Sequence, residues 1–201
     1  MMKNNKVQKM VSIAMFAAMG LVLQYVAFPI IPAFSFLKID FSDIPVMLSM
    51  FLFGPLAGVM TAFIRSSLHL LTTGLSAPNM VGDVASFIAT VVFTLPMYYF
   101  FHRNNALRNK IYGTALGILA MSLVMSVANY FVITPLYLLF FGVTADQFLG
   151  MPLANYVVIG ILPFNLIKGG IVSIVFLIVH AKLLPWLSRK QAFAQHQTFS
   201  K

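Results

Sequence analysis

The sequence predicts an all-α, polytopic membrane protein with six transmembrane helices and both termini cytoplasmic, and three observations carry that prediction. Hydrophobic residues make up 60% of the 201-residue chain and charged residues only 8%, with a mean hydropathy of +0.92. Such a composition describes a protein whose spans fill most of its length. Uncharged runs close to 20 residues recur, the length that crosses about 30 Å of hydrocarbon at about 1.5 Å per residue. The charged residues between those runs alternate in sign from side to side. About six helices account for nearly the whole chain, so a single membrane domain over residues 1–201 is expected. The basic stretch Met1–Lys9 leads into a run too long for a signal-peptide core, and it reads as a retained first helix.

The first span covers about Val11 to Phe28 and stops at Pro29 and Pro32. An outer loop over residues 29–43 follows, holding Lys38, Asp40 and Asp43. Ser42 or Asp43 can cap the next helix, with Pro45 in its first turn. Ile44 to Ile64 is uncharged for 21 residues and resembles one span. Gly54-Pro55 at its centre argues otherwise, because an interior proline costs about 3 kcal/mol. The run therefore divides into a short second span, 44–53, and a third, 55–74. Span four runs over about 82–101. Span five covers 111–134, where Pro135 breaks a longer apolar run, and span six covers 156–179.

The charges test this division. With six spans and the amino terminus inside, the cytoplasmic segments hold Lys3, Lys6, Lys9, Arg103, Arg108, Lys110, Lys182, Arg189, Lys190 and Lys201, ten of the 13 basic residues. That is the positive-inside pattern. All four acidic residues, Asp40, Asp43, Asp83 and Asp146, fall on or near the opposite side. Fusing spans two and three would put the basic carboxy-terminal tail outside. The net charge of +9 is then accounted for by topology and attraction to anionic lipid of the bilayer, without nucleic acid.

Lys38, Arg65 and Lys168 remain. Lys168 interrupts an uncharged run and precedes Gly169 and Gly170, with Asn165 three residues earlier on the same helical face. A charge near a bilayer interior costs at least about 2.5 kcal/mol, so it faces a partner, a cavity or a ligand unless it snorkels. Depth counting places Lys168 and Asn165 in the outer half of span six, and Asn129 and Tyr130 in the outer third of span five. Asn79 and Asp83 start span four, and Lys38 and Asp40 lie in the outer loop. Polar groups from four segments thus meet at one depth, open to the outside, as a ligand site requires. The competing reading is that the amides glue helices together. Arg65, beside Ser66, Ser67 and His69, is expected to pair structurally with Asp83 or with backbone carbonyls. His69 lacks a second ligand at metal spacing, so no metal site is expected. His102, His180 and His196 read as interfacial or tail residues.

The chain has no cysteine, no G-x-x-x-x-G-K-[ST] and no H-E-x-x-H, which removes thiol chemistry, intrinsic ATP hydrolysis and zinc-protease chemistry. A membrane protein with a site but no engine needs a partner. Ala14-Met-Phe-Ala-Ala18, with Gly20 after it, offers a small-residue face for close helix approach, toward a partner or within the molecule.

These residues carry a family resemblance. The segment Phe36-Leu-Lys-Ile-Asp-Phe-Ser-Asp-Ile-Pro45, followed by Phe53-Gly-Pro-Leu-Ala-Gly58, is similar to the riboflavin-specific S components of energy-coupling factor (ECF) vitamin transporters. Length, six spans, the span-one alanines and Asn165-x-x-Lys168 extend the resemblance along the whole chain. It implies a non-enzymatic, vitamin-binding subunit of a prokaryotic cell membrane, without a cofactor of its own. That subunit docks through Ala14 and Ala18 on a transmembrane coupling (T) subunit driven by two cytoplasmic ABC ATPases. It further implies that Asn129, Asn165 and Lys168 bind ligand, and that the loop around Leu37 to Phe41 caps the pocket. The chemistry suits a flavin: amides match donors and acceptors together, Lys168 donates to oxygens, and Phe36, Leu37, Phe41 and Tyr130 would cover the ring faces. Transport of another vitamin or small metabolite stays open from the residues alone. An intramembrane enzyme using Lys168 or His69 as base is disfavoured by the missing nucleophile and paired carboxylates.

Overall fold

The computed structural model describes residues 6–103 and 107–198, with side chains as far as Lys182. Lys3 and Lys201 lie outside the described residues, as do the side chains of Arg189, Lys190 and His196. The described residues are helical apart from one small ribbon and the connecting loops. Helix α1 spans Lys6–Tyr25, α2 Asp43–Phe53, α3 Pro55–Thr73, α4 Ala77–Arg103 and α5 Leu107–Ala128. A π-helical turn, Asn129–Ile133, joins α5 to α6, Thr134–Phe141. The short α7, Ala145–Leu149, precedes α8, Leu153–Tyr156, and a second π turn, Val157–Ile161, leads into α9, Leu162–Thr198.

Several of these bounds correct the sequence reading. The first helix ends at Tyr25, before Phe28, because Phe28–Pro29 forms strand β1 and pairs antiparallel with β2, Lys38–Ile39. The outer loop therefore holds a pinned ribbon, with a 3₁₀ turn at Pro32–Phe34 between its strands. The division at Gly54-Pro55 is seen: Gly54 adopts φ 96°, a backbone that favours glycine, and Pro55 opens α3. Gly58 then lets α2 and α3 lie against each other, since a Cβ there would meet Met50 at 2.5 Å.

Pro135 does not end its helix. Each π turn ends two residues before a proline, Pro135 in one case and Pro163 in the other. A proline has no N–H to give, and its ring clashes with the carbonyl four residues back. Widening the preceding turn to i→i+5 bonding, Thr134 N–H to the Asn129 carbonyl and Leu162 N–H to the Val157 carbonyl, carries the helix past the obstacle. The fifth rod consequently reaches Phe141, and the sixth begins at Leu153.

Four of these rods are long and apolar enough to cross a membrane: Lys6–Tyr25, Ala77–Arg103, Leu107–Phe141 and Leu153–Lys182. At 11 residues α2 is too short to count by that measure, and α3 is diluted by Arg65, His69 and its hydroxyl side chains. Successive rods alternate in direction, so that Tyr25, Asp43, Thr73, Ala77, Phe141 and Leu153 share the end that bears the ribbon. At the far end Phe51 packs on Tyr98, Phe101, His102, Phe176 and His180, so both histidines belong to an aromatic cluster there. A core of Met47, Phe93, Met97, Met121, Val172 and Phe176 closes the middle of the bundle. Toward the ribbon a second core gathers Phe34, Leu149, Tyr156, Val157 and Ile161.

Candidate functional site

Between these two cores lies a cavity of about 570 Å³, open at the ribbon end, within the roughly 300–1,000 Å³ typical of small-molecule sites. Its polar lining comes from every rod but α2. Gln24 stands on α1, His69 on α3, Asn79 and Asp83 on α4, Asn129 in the first π turn, Tyr137 on α6, and Asn165 and Lys168 on α9. The ribbon loop contributes Phe36, Leu37, Lys38 and Asp40.

Lys168 has the partner its position demands. Its Nζ donates to Asp40 Oδ2 at 3.3 Å and lies 4.0 Å from Asp43 Oδ2. The ion pair ties the ribbon loop to α9 across 128 residues of sequence. Burial pushes the Asp40 carboxyl up, but the Lys168 ammonium and the Ser42 N–H, which donates to Oδ1 at 2.8 Å, together hold it below the ordinary aspartate value. Asp40 takes one of three ammonium donors, which leaves two for the cavity.

Beneath that pair lies a buried charge network that the sequence reading misassigned. Arg65 is fully buried and pairs with Asp43 at 3.1 Å; Asp83 is not its partner. Its guanidinium also donates to Ser42 Oγ at 2.7 Å, Thr90 Oγ1 at 3.0 Å and Ser86 Oγ at 3.1 Å. Thr90 in turn donates to Asp43 Oδ1 at 2.5 Å. Asp43 reads as the last loop residue before α2. It sits in that helix's first turn, 2% exposed, and Ser42 accepts from Arg65 instead of capping the helix. Two cations and two anions thus alternate from Arg65 through Asp43 and Lys168 to Asp40, leaving the floor of the cavity neutral overall. Gly20 makes room for it, since a Cβ there would stand 3.1 Å from Arg65 Cδ.

Asp83 accepts from His69 Nδ1 at 2.7 Å, and Tyr25 packs tilted on the same imidazole at 5.5 Å. Asn79 lines the cavity, but its Nδ2 caps the carbonyls of Thr73 and Gly74 at the end of α3. The two amides flanking the π turns are oriented by backbone carbonyls. Asn129 Nδ2 donates to the Met125 carbonyl, Asn165 Nδ2 donates to the Ile161 carbonyl, and Asn129 Oδ1 accepts from Thr134. Asn165 therefore keeps its amide oxygen for the cavity.

Two expected wall residues point elsewhere. Tyr130 is 41% exposed and packs on Phe131 outside the bundle, because the π turn directs Asn129 inward and its neighbour outward. Phe41 packs against Phe28 and the central core. Phe36 lines the cavity as expected, and the rest of its aromatic lining comes from Tyr137, Phe141, Phe148, Tyr156 and Phe164. Phe148 packs at 5.7 Å on Phe141 and at 5.8 Å on Phe36. Tyr137 and Phe141 lie in the apolar run beyond Thr134, where span five was read as ending, and Phe148 lies in a short helix whose Thr144–Gln147 capping box was the available signal. Among the described residues no three acidic or histidine side chains gather as a metal site.

The family model for the substrate-specific component of ECF transporters matches residues 8–180. The chain belongs to that family. This S component is 37% identical over 191 residues to the riboflavin transporter FmnP of Bacillus subtilis, covering 95% of the chain and 100% of the relative. It is 36% identical over 188 residues to the riboflavin transporter RibU of Staphylococcus aureus, covering 94% and 95%. A solved structure described as the S component of a bacterial ECF transporter superposes with a TM-score of 0.75 at 33% identity, covering 91% of this S component and 99% of that chain. The family is one of transporter subunits, not of enzymes.

Proposed function

We propose that this S component binds riboflavin from the outside of a bacterial plasma membrane and delivers it inward with a transmembrane coupling subunit and two ABC ATPases. The reading has six spans and both termini in the cytoplasm, with the basic end of the bundle inside and the ribbon outside. The observation that carries it is the cavity: a neutral, amide- and lysine-lined floor beneath an aromatic mouth, in a chain whose relatives are named riboflavin transporters. A flavin presents carbonyl oxygens and ring nitrogens at one edge and flat apolar faces elsewhere. The two free donors of Lys168 suit that edge, the Asn165 amide oxygen suits a ring N–H, and Phe36 and Phe148 suit the faces. Asn129 and Leu37 complete this contact set, and Lys38, next to Asp40, stands at the entrance. The protein purified from flavin-containing cells should be yellow and should release fluorescent flavin on denaturation, and a colourless preparation that takes up another vitamin would redirect the assignment.

Lys168→Met and Asn165→Leu should each weaken riboflavin binding about tenfold to a hundredfold, the consequence of an unmatched buried polar ligand atom. Lys168→Met also unpairs Asp40, so Asn165→Leu is the cleaner arm. Parent-like affinity in both would remove Lys168 and Asn165 from the contact set.

A further inference from the structure

Resting on the reading that Lys168 contacts the ligand, we infer that Gly20 and Arg65 are positioning residues for it. Neither lines the cavity, yet together they set, through Asp43, where the Lys168 ammonium stands in it. The chain of contacts is short. Lys168 Nζ lies between two carboxylates, 3.3 Å from Asp40 Oδ2 and 4.0 Å from Asp43 Oδ2. The first contact is a hydrogen bond, whereas the second is Coulomb attraction alone. A small shift of Asp43 therefore changes which carboxylate holds the ammonium. Asp43 has little freedom of its own, because its Oδ1 already accepts from Arg65 at 3.1 Å and from Thr90 at 2.5 Å. Arg65 thus decides which oxygen faces Lys168, and at what distance.

Arg65 is in turn placed by α1. Both of its terminal nitrogens are engaged, Nη1 by Ser42 and Asp43, and Nη2 by Ser86 and Thr90. Its Nε is buried without a partner among the described residues, and the methylene stem beside it rests on Gly20. A Cβ at Gly20 would stand 3.1 Å from Arg65 Cδ, closer than carbon atoms pack, and 3.4 Å from the Ser42 carbonyl oxygen. The guanidinium is planar and rigid, so a displacement at Cδ is carried to its four acceptors together, Asp43 among them. The inner face of α1 therefore touches both the stem of Arg65 and the backbone that leads into Asp43. Ala14 and Ala18, on the exposed face of the same helix, have no such reach.

A double-mutant cycle on riboflavin affinity, measured on the purified protein in detergent, tests this role. Gly20→Ala adds one methyl group outside the cavity and raises the helix propensity of α1, so a frayed helix cannot explain a loss. In the parent it should weaken riboflavin binding about threefold to tenfold, the effect of one misdirected hydrogen bond. In a Lys168→Met background the same change should alter affinity by less than about twofold, because the group it acts through is gone. In an Asn165→Leu background it should cost as much as in the parent. Asn165 is oriented by the Ile161 carbonyl and stands outside the charge network. Arg65→Lys keeps the charge but not the planar fork; it should show the same pattern, and it replaces Gly20→Ala if that variant fails to fold. Parent-like affinity of Gly20→Ala, or an equal loss in the Lys168→Met background, would overturn the positioning role alone. Parent-like affinity of Lys168→Met would overturn Lys168 as a ligand contact, and the positioning role with it.

Discussion

Arg65→Met should be the most damaging single substitution in the described chain. It removes a fully buried guanidinium and leaves Asp43, Ser42, Ser86 and Thr90 without the group that satisfies them. Breaking a buried ion pair by deleting one partner costs about 3–5 kcal/mol, because the surviving charge stays buried and uncompensated. The expected result is loss of monodisperse protein in detergent, or a large fall in its unfolding midpoint. The double variant Arg65→Met with Asp43→Leu should recover most of that loss, since Lys168 and Asp40 then remain as a balanced pair. A single variant as stable as the parent, measured by the unfolding midpoint in detergent, would show that the network contributes nothing to the fold.

Ala14→Trp and Ala18→Trp should each abolish vitamin uptake by cells while leaving the isolated subunit's affinity for riboflavin unchanged. The small residues of α1 separate into two faces. Ala17 and Gly20 are buried, Gly20 against Arg65, whereas Ala14 and Ala18 are exposed in a stripe with Val11 and Val22. An indole on the inner face would disrupt the charge network. On the outer face it meets nothing among the described residues and instead holds a partner helix away. Uptake and isolated-subunit binding measured on the same variant decide the matter. Lost binding would mean that this face packs internally, and intact uptake would mean that no partner helix docks there.

Much of this architecture was legible in the sequence, for reasons that name its limits. Gly54-Pro55 signalled its break because φ 96° and a missing N–H are local properties of two residues. Lys168 signalled a partner because an isolated ammonium is expensive at that depth, yet nothing local identified Asp40, 128 residues away. Pro135 misled because the compensating π turn is stabilised by tertiary neighbours and by Asn129, whose side chain bonds Met125 and Thr134. Asp43 was placed correctly at the start of a short second span, but nothing local showed that its carboxylate turns inward to Arg65, 22 residues away. Leu37, Lys38, Asp40, Asn79, Asp83, Asn129, Asn165 and Lys168 all line the cavity, since depth in a helix follows residue count. Tyr130 and Phe41 do not, because azimuth around a π turn and the fold of a ribbon cannot be counted in that way.

The central claim is that the cavity at the ribbon end is a riboflavin site that needs neither ATP nor metal. Isothermal titration of riboflavin into the purified, flavin-free protein in detergent, with chelator present and nucleotide absent, tests it most directly. The account predicts saturable heat, with quenching of flavin fluorescence, at or below micromolar concentration. No heat and no quenching at micromolar riboflavin would contradict it.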